Sequence, residues 1–211
     1  MITFRASGLG HACDRRVYLE SVRGIEEPRD PGSRIVMDCG TALESVGIEY
    51  MRLAGWDIGY NPGNLEAKEC LEYRGDGFVI SGHYDAIGSF GGGELYVLDI
   101  KTMNSFAYRE WKKFGTREKY PQYLTQVGLY GYMLRFRGDP IAKVGIVGLN
   151  RDRPEYPLPV DSYDYDEGIP KTAIERAERI AHAADLPEID ASIPDWCCRY
   201  CGFRGVWCDG I

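Results

Sequence analysis

The chain has 211 residues, of which 44% are hydrophobic, so it can bury the core of a single domain. Its formal net charge of -7 argues against a surface coated in positive charge for sequence-independent nucleic-acid binding, but does not exclude a local basic groove. No stretch approaches the roughly 18 apolar residues of a membrane span, and no charged leader precedes an apolar run. We therefore expect a soluble protein that contacts no membrane and acts in the cytoplasm, or is encoded by a phage and acts in the host cytoplasm.

Seven cysteines are spread unevenly along the chain. Cys13 lies alone near the N-terminus, and the last fifteen residues contain four more, Cys197, Cys198, Cys201 and Cys208. Because thiols stay reduced inside cells, this clustering favours a metal site that joins the two ends of the chain over a set of disulfides. Cys39 and Cys70 stand apart, and we expect them to be small buried hydrophobic residues.

Hydrophobic periodicity predicts the order of the elements. Helical spacing predicts a first helix over 40–54, closed by Gly55. Three strand-like segments with short connections follow and predict an antiparallel meander over 67–73, 78–87 and 94–102. The remaining elements are a helix over 120–136, a strand over 141–149 and a helix over 171–184.

This order of elements predicts an α/β core with a mixed sheet. The helix over 120–136 can make the crossover that a parallel pairing of the strands on either side of it requires. We expect one domain over 1–211. It divides into an N-terminal segment, a core and a C-terminal cysteine segment, over 1–36, 37–186 and 187–211.

Two charged residues interrupt the apolar strand that ends this meander. Asp99 and Lys101 are two positions apart and therefore emerge on the same face of a strand, where Asp85 from the preceding strand can meet them. Converging carboxylates repel unless a cation neutralises them, and hard oxygen ligands suit Mg²⁺ or Mn²⁺. A water bound to such a metal loses its proton more readily, and Lys101 can orient it. The alternative is a structural ion pair between Asp99 and Lys101.

The neighbouring helices add polar groups to this constellation. Glu44 places a carboxylate on the first helix, and Gln126 and Tyr130 share one face of the second, being four residues apart. Together these residues resemble a RecB-type nuclease of the PD-(D/E)XK superfamily. The resemblance is closer to the iron-sulfur exonucleases that include the fourth CRISPR-associated protein and the AddB nuclease domain.

The resemblance covers most of the chain in the family's order of motifs. The matching motifs are Cys13 followed by Arg16 and Tyr18, Gly40 to Glu44, Asp85, Asp99-Ile100-Lys101, Gln126-x-x-x-Tyr130, and Cys198-x-x-Cys201 with Cys208. Two positions depart from the pattern. Glu44 stands where many members have His, and six residues rather than five separate Cys201 from Cys208.

The resemblance implies a restriction-endonuclease-like fold, a mixed central sheet flanked by helices, with its N- and C-terminal segments clasped by a four-cysteine cluster. The implied ligands of a structural [4Fe-4S] cluster are Cys13, Cys198, Cys201 and Cys208, with Cys197 as an alternative to Cys198. Spacing alone suits zinc equally well.

The implied activity is that of a metal-dependent DNA exonuclease acting on single-stranded ends. The implied metal ligands are Glu44, Asp85, Asp99 and the Ile100 carbonyl, while Lys101 positions the attacking water and Gln126 and Tyr130 orient the site. Members of the family serve in CRISPR spacer processing, recombination and phage DNA metabolism, which implies protein partners. The alternative is a non-catalytic DNA-binding or assembly subunit of a DNA-processing complex.

The segment over 108–119 interleaves cations with aromatic residues. Cations hold a phosphate backbone and aromatic faces stack unpaired bases, so the segment is typical of a single-strand platform; alternatively, its aromatic rings pack on the core. The candidate DNA-binding residues are Arg15, Arg16, Trp111, Lys112, Lys113 and Arg117. His83, two residues before Asp85, shares its face if the strand is regular.

Overall fold

The strands among the described residues form two sheets. The computed structural model describes residues 1–59, 69–190 and 192–208. Its strands are β1 (Ile2–Arg5), β2 (Trp56–Ile58), β3 (Leu71–Arg74), β4 (Phe78–Gly82), β5 (Ala86–Phe90), β6 (Leu95–Met103), β7 (Ile141–Asn150) and β8 (Val160–Asp164). The smaller sheet has the order β1-β4-β3, and the larger sheet has the order β2-β5-β6-β7-β8.

Helices cover both faces of the larger sheet. They are α1 (Ala6–Leu9), α2 (Asp14–Ser21), α3 (Pro31–Leu53), α4 (Ser105–Lys119), α5 (Pro121–Phe136), α6 (Gly168–Ala181) and α7 (Asp195–Arg199). On one face, Ile48 and Met51 of α3 pack against Leu98 and Ile100 of β6. On the other, Val97 of β6 joins a second core to which α4, α5 and α6 contribute. This mixed sheet between helices confirms the predicted fold class.

The predicted crossover is confirmed. Strands β6 and β7 pair in parallel, with Asp99 opposite Ile146, and α4 and α5 connect them. Since β5 and β8 pair antiparallel to these two central strands, the sheet is mixed. The pairing leaves β6 near the middle of the sheet, where both of its faces are covered.

The predicted meander is partly wrong because the strand expected over 78–87 is two strands. Strand β4 pairs with β3 and, in parallel, with β1, whereas β5 pairs with β6 in the other sheet. The chain changes sheets over residues 83–85. A Cβ atom at Gly82 would lie 2.6 Å from Tyr130 Cε1, so glycine lets the chain leave β4 beneath that ring. The strand expected over 67–73 begins outside the described residues and is described as β3 from Leu71.

Helix boundaries differ from the predictions at capped or proline-containing ends. Helix α3 begins at Pro31 rather than Gly40, because the Asp30 side chain accepts a hydrogen bond from Ser33 N and Pro31 suits the first turn. Helix α6 begins before Pro170, since proline is tolerated in a first turn. Helix α5 agrees with the prediction.

The two isolated cysteines do not follow the prediction. Cys39 and Cys70 are exposed, so their predicted burial is wrong; Cys39 lies in the first half of α3, where residues 31–39 are all exposed.

The basic and aromatic segment forms most of α4, which bends at Gly115 with φ 77°. Within the described residues, no helix combines the length and apolar composition needed to cross a membrane.

Candidate active site

Strand β6 aims its two charged residues at α5. Alternation along the strand turns Leu98 and Ile100 toward α3, and Asp99 and Lys101 toward Gln126 on α5. Asp99 is 2% exposed, and Lys101 is partly buried with 22% of its side chain exposed. A largely buried ion pair in the centre of a sheet needs partners for its remaining atoms.

Gln126 supplies most of those partners. Its Nε2 donates to Asp99 Oδ1 at 2.9 Å and lies 2.9 Å from the Tyr130 hydroxyl, while its Oε1 accepts a hydrogen bond from Lys101 Nζ at 3.1 Å. Both ends of the amide are thereby held in one orientation. The predicted face of Gln126 and Tyr130 does meet Asp99 and Lys101.

Lys101 is held as a cation. Burial lowers its pKa, but the adjacent Asp99 charge more than compensates, so its pKa lies above the usual value. Its Nζ is also 4.8 Å from the centre of the Tyr123 ring, a cation–π contact. Sequence reasoning missed Tyr123, although its position three residues before Gln126 places it on the same helix face.

Asp85 approaches this group from the connection between β4 and β5. Its Oδ2 accepts a hydrogen bond from Ile100 N at 2.7 Å, and the residue is 5% exposed. Burial, followed by the charges of Asp99 and Glu44, raises the pKa of its carboxyl from 3.8 to about 8. The convergence of Asp85 with Asp99 agrees with the prediction, although Asp85 does not belong to a strand.

Glu44 reaches the same region from α3. It is partly buried, and its charge acts on both Asp85 and Tyr130. The pKa of the Tyr130 hydroxyl is raised, first by burial and then by Asp99. Three carboxylates from a helix, a loop and a strand therefore crowd one buried region, where their mutual repulsion favours a bound cation or proton.

The chemistry of this donor set suits a hard divalent cation. Asp99 Oδ2 is buried, lies 2.6 Å from Lys101 Nζ in an ion pair, and has no hydrogen-bond partner among the described residues. Within residues 1–59, 69–190 and 192–208, however, no three His, Cys, Asp or Glu side chains are close enough together to hold a metal ion. The carboxylates thus share one region without forming a closed metal site, and the Lys101 ammonium is the cation beside Asp99.

The cysteines from the two ends of the chain line one cavity of about 130 Å³. Its lining includes Cys13, Cys197, Cys198, Cys201 and Cys208, together with His11. Burial raises the pKa of the thiols of Cys197, Cys198 and Cys201. Burial, and then the Arg16 charge, lowers the pKa of His11 to about 4.

Arg15 and Arg16 lie beside this cavity and are held by the protein itself. Arg15 Nε donates to the Pro187 carbonyl at 2.8 Å, and Arg16 forms ion pairs with Glu20 and Glu27. Glu27 also accepts a hydrogen bond from Gly202 N at 3.1 Å. These contacts connect the N-terminal segment to the C-terminal one.

The remaining DNA-binding candidates lie on α4. Trp111 is 2% exposed and donates to Thr116 Oγ1 at 2.7 Å, so it packs in the core and offers no face to a base. Lys112 pairs with Glu155 at 2.7 Å. The other two cations lie over rings, Lys113 over Phe114 and Arg117 over Tyr163.

The expectation that His83 shares the face of Asp85 is wrong. The chain leaves β4 after Gly82, and the exposed His83 contacts the Glu69 carbonyl at 3.1 Å. Periodicity of two applies only while the strand continues, and here it stops one residue earlier.

One comparison of the sequence with known families decides the family of this chain. The family model described as the PD-(D/E)XK nuclease superfamily matches residues 40–209, a stretch that includes Glu44, Asp85, Asp99, Lys101 and Gln126. The chain belongs to this superfamily. The site described above therefore lies in a nuclease fold, with Asp99, Ile100 and Lys101 on its central strand β6.

Solved structures with the same fold include two exonuclease structures. The structure titled "Crystal structure of SSO0001" matches with a TM-score of 0.53 and 22% identity, covering 95% of this chain and 83% of that one. An alkaline exonuclease, LHK-Exo from Laribacter hongkongensis, matches with a TM-score of 0.55 and 16% identity, covering 84% and 85%. LHK-Exo in complex with dAMP matches with a TM-score of 0.55 and 15% identity. Among curated proteins, none matches this chain.

Proposed function

We propose that the protein is a metal-dependent DNA exonuclease that hydrolyses phosphodiester bonds at single-stranded ends. The observation that carries this proposal is the buried group of Asp85, Asp99, Lys101 and Gln126 in a nuclease fold. The likeness to an alkaline exonuclease, and to its complex with a nucleoside monophosphate, supports DNA as the substrate class. We assign all 211 residues to one nuclease domain whose core spans 37–186.

Mg²⁺ or Mn²⁺ fits the oxygen donors of this site. The residues that would hold it are Glu44, Asp85 and Asp99, together with the Ile100 carbonyl. When bound, such a cation neutralises the carboxylates and stabilises the charge that develops on a phosphate oxygen. Asp99 Oδ2 is buried and has an ion pair but no hydrogen bond, so a bound cation would supply a partner for this atom.

The chain's own residues then position the reaction. Because its pKa is raised, Lys101 is protonated at neutral pH, so it donates a hydrogen bond to the attacking water or to the phosphate and does not act as a base. Gln126 holds both Asp99 and Lys101, and Tyr130 holds the Gln126 amide. The water oxygen bonds to phosphorus as the bond from phosphorus to the leaving oxygen breaks; the attacking water releases one proton to solvent, and the leaving oxygen takes up one proton.

Lys101→Ala tests the catalytic assignment. With end-labelled single-stranded DNA and Mn²⁺, we expect degradation at least about 100-fold slower than in the wild type, the usual contribution of a positioned proton donor. Lys171→Ala is the matched control, because Lys171 is an exposed lysine on α6 that pairs with Glu167.

Equal rates in wild type and Lys101→Ala would favour a non-catalytic DNA-binding or assembly subunit. One observation supports that alternative: Lys101 and Asp99 already neutralise each other within a hydrogen-bonded group. The hydrogen-bonded group of Asp99, Lys101 and Gln126 would then serve only the stability of the fold. DNA binding without degradation is the result expected for such a subunit.

We further propose that Cys13, Cys198, Cys201 and Cys208 hold a structural [4Fe-4S] cluster, which would place the protein in the RecB-like iron-sulfur branch. Support comes from the shared cavity that these thiols line at the two ends of the chain. Zinc is the alternative, and Cys197, in the same cavity, can replace Cys198 as a ligand.

Cys201→Ala tests this cluster. We expect the anaerobically purified variant to lose the brown visible absorbance, to melt at a lower temperature and to be cut more readily by protease. Cys39→Ala is the control, since Cys39 is exposed on α3 and does not line the cavity. Unchanged absorbance and melting would contradict the assignment, whereas zinc without iron in elemental analysis would identify the alternative.

A further inference from the structure

A groove of about 760 Å³ opens beside the candidate active site. Lys101 and Gln126 line it and also contact Asp99, so the groove leads to the carboxylates. The N-terminal segment supplies much of the rest of the lining, including Thr3 and Arg5 of β1 and Ser7 of α1. None of these three residues was a candidate in the sequence.

Arg5 carries a positive charge in this groove that no described residue neutralises. Its side chain is exposed and forms no hydrogen bond or ion pair within residues 1–59, 69–190 and 192–208. The other arginines of the groove differ, since Arg16 pairs with Glu20 and Glu27, and Arg29 pairs with Glu27. A charge that is free in the folded protein remains available for a phosphate.

The backbone beneath Arg5 is well anchored. Strand β1 pairs in parallel with β4, with Arg5 opposite Ser81, and Phe4 is completely buried. Alternation along β1 places Thr3 and Arg5 on the opposite side from Phe4, and both are exposed. A guanidinium and a hydroxyl are thereby presented side by side from a rigid element, an arrangement suited to a sugar-phosphate backbone.

The acids of the groove do not cancel this charge. Glu20 and Glu27 are both paired with Arg16. Glu26 is 91% exposed at its side chain and lies 4.0 Å from Arg34, at the limit of an ion pair. The unpaired charge of the groove near β1 is therefore positive.

An aromatic surface adjoins the same end of the groove. Tyr123 lines it next to Lys101 and stacks on Tyr120, with ring centres 5.2 Å apart and an angle of 22°. Both tyrosines are partly exposed. The exposed part of the Tyr123 ring, beside Lys101, can contact a sugar or a base.

By contrast, most cations of α4 are already engaged. Lys112 pairs with Glu155 at 2.7 Å, and Lys119 pairs with Glu110 at 2.9 Å. Arg117 lies 5.0 Å from the Tyr163 ring centre, and Arg109 Nε donates to the Ser105 carbonyl. Binding DNA through these side chains would first break existing contacts, which weakens the case for α4 as the principal path.

We propose that the groove beside β1 carries the DNA strand whose end is cut, and that Arg5 binds a backbone phosphate of that strand. Tyr123 packs against the nucleotide next to the scissile phosphate. This assignment rests on the proposed nuclease function and identifies the path by which the DNA strand reaches the active site.

Salt dependence of DNA binding tests the role of Arg5 without catalysis. A fluorescein-labelled oligothymidylate is titrated with protein in EDTA at several salt concentrations, using wild type, Arg5→Gln and Arg5→Lys. Loss of one phosphate contact should lower the magnitude of the slope of log K against log salt by about 0.7 and weaken binding roughly three- to tenfold at low salt. Arg5→Lys keeps the charge and should restore the slope.

Lys112→Ala tests the rival path along α4, and it should leave the slope at the wild-type value because Lys112 is already paired with Glu155. The groove assignment is overturned if Arg5→Gln keeps the wild-type slope, or if Lys112→Ala lowers it as much as Arg5→Gln does. Because Arg5 is exposed, both Arg5 variants should melt at the wild-type temperature, so a lowered slope in Arg5→Gln that Arg5→Lys restores reports the lost charge and not a loss of folding.

Steady-state degradation supplies a second readout. With the metal present, Arg5→Gln should raise KM by roughly the same three- to tenfold and leave kcat near the wild-type value. If wild type binds and degrades DNA while Arg5→Gln behaves like wild type, only the groove assignment fails. If wild type degrades no DNA, the proposed function itself fails.

Discussion

Asp85→Asn is expected to stop DNA degradation while making the metal-free protein more stable at and above neutral pH. The amide can still accept the hydrogen bond from Ile100 N, but it brings no negative charge for a divalent cation. Loss of one anionic ligand from such a site should slow degradation at least about 1,000-fold, or roughly 4 kcal/mol of transition-state stabilisation. A gain in stability from loss of a functional residue is the trade-off expected of a strained active site.

The sign of the stability change follows from the raised pKa of Asp85. Burial and the charges of Asp99 and Glu44 raise that pKa from 3.8 to about 8 in the folded protein, so between these values the folded state binds more protons than the unfolded state. The contribution of Asp85 to the free energy of unfolding is therefore fully present below pH 3.8 and is lost as the pH rises toward 8. The slope reaches about 1.4 kcal/mol per pH unit.

Thermal melting in EDTA between pH 6.5 and 8 measures this effect. The window lies above the titration of His11, whose lowered pKa of about 4 makes stability rise with pH between that value and 6.5. Wild type should lose stability across the window relative to Asp85→Asn. Asp57→Asn, which replaces an exposed carboxylate on β2, should follow the wild type. Parallel melting curves for wild type and Asp85→Asn would contradict the raised pKa.

Much of the side-chain arrangement at the candidate site was predictable because its determinants are local. Asp99 and Lys101 face one way by strand alternation, and Gln126 and Tyr130 share a helix face by their spacing of four. Each rule concerns residues about one helical turn or one strand repeat apart. The structure then only had to bring β6 and α5 together, which the crossover does.

The features that the sequence did not predict depend on contacts between distant parts of the chain. Whether 78–87 is one strand or two depends on β1, which pairs with β4 from the far N-terminus, and on Tyr130, which lies over Gly82. The burial of Trp111 depends on its packing over Gly148 of β7, where a Cβ atom would clash with the indole ring. The groove beside Arg5 likewise has walls from distant parts of the chain, since residues of β1 and of α5 line it. A strand of four or five residues is too short for its hydrophobic periodicity to predict which strand it pairs with.

Mn²⁺ is expected to stabilise the protein more strongly as the pH rises from 6.5 to 7.5. Over this range the cation must displace the proton that Asp85 holds, so its apparent affinity should rise about tenfold per pH unit below a pKa of about 8. With the cation in excess over its dissociation constant, this adds about 1.4 kcal/mol per unit to the free energy of unfolding.

The difference between melting temperatures with Mn²⁺ and with EDTA, measured at both pH values, tests this linkage. Asp57→Asn should show the wild-type increase, because its carboxylate lies on β2 and exposed to solvent. Asp85→Asn should show a small Mn²⁺ effect that does not grow with pH, since no proton leaves an amide. An equal increase in Asp85→Asn would mean that the cation binds elsewhere, for instance at the cysteine thiols. The same measurement on Cys201→Ala would test that alternative.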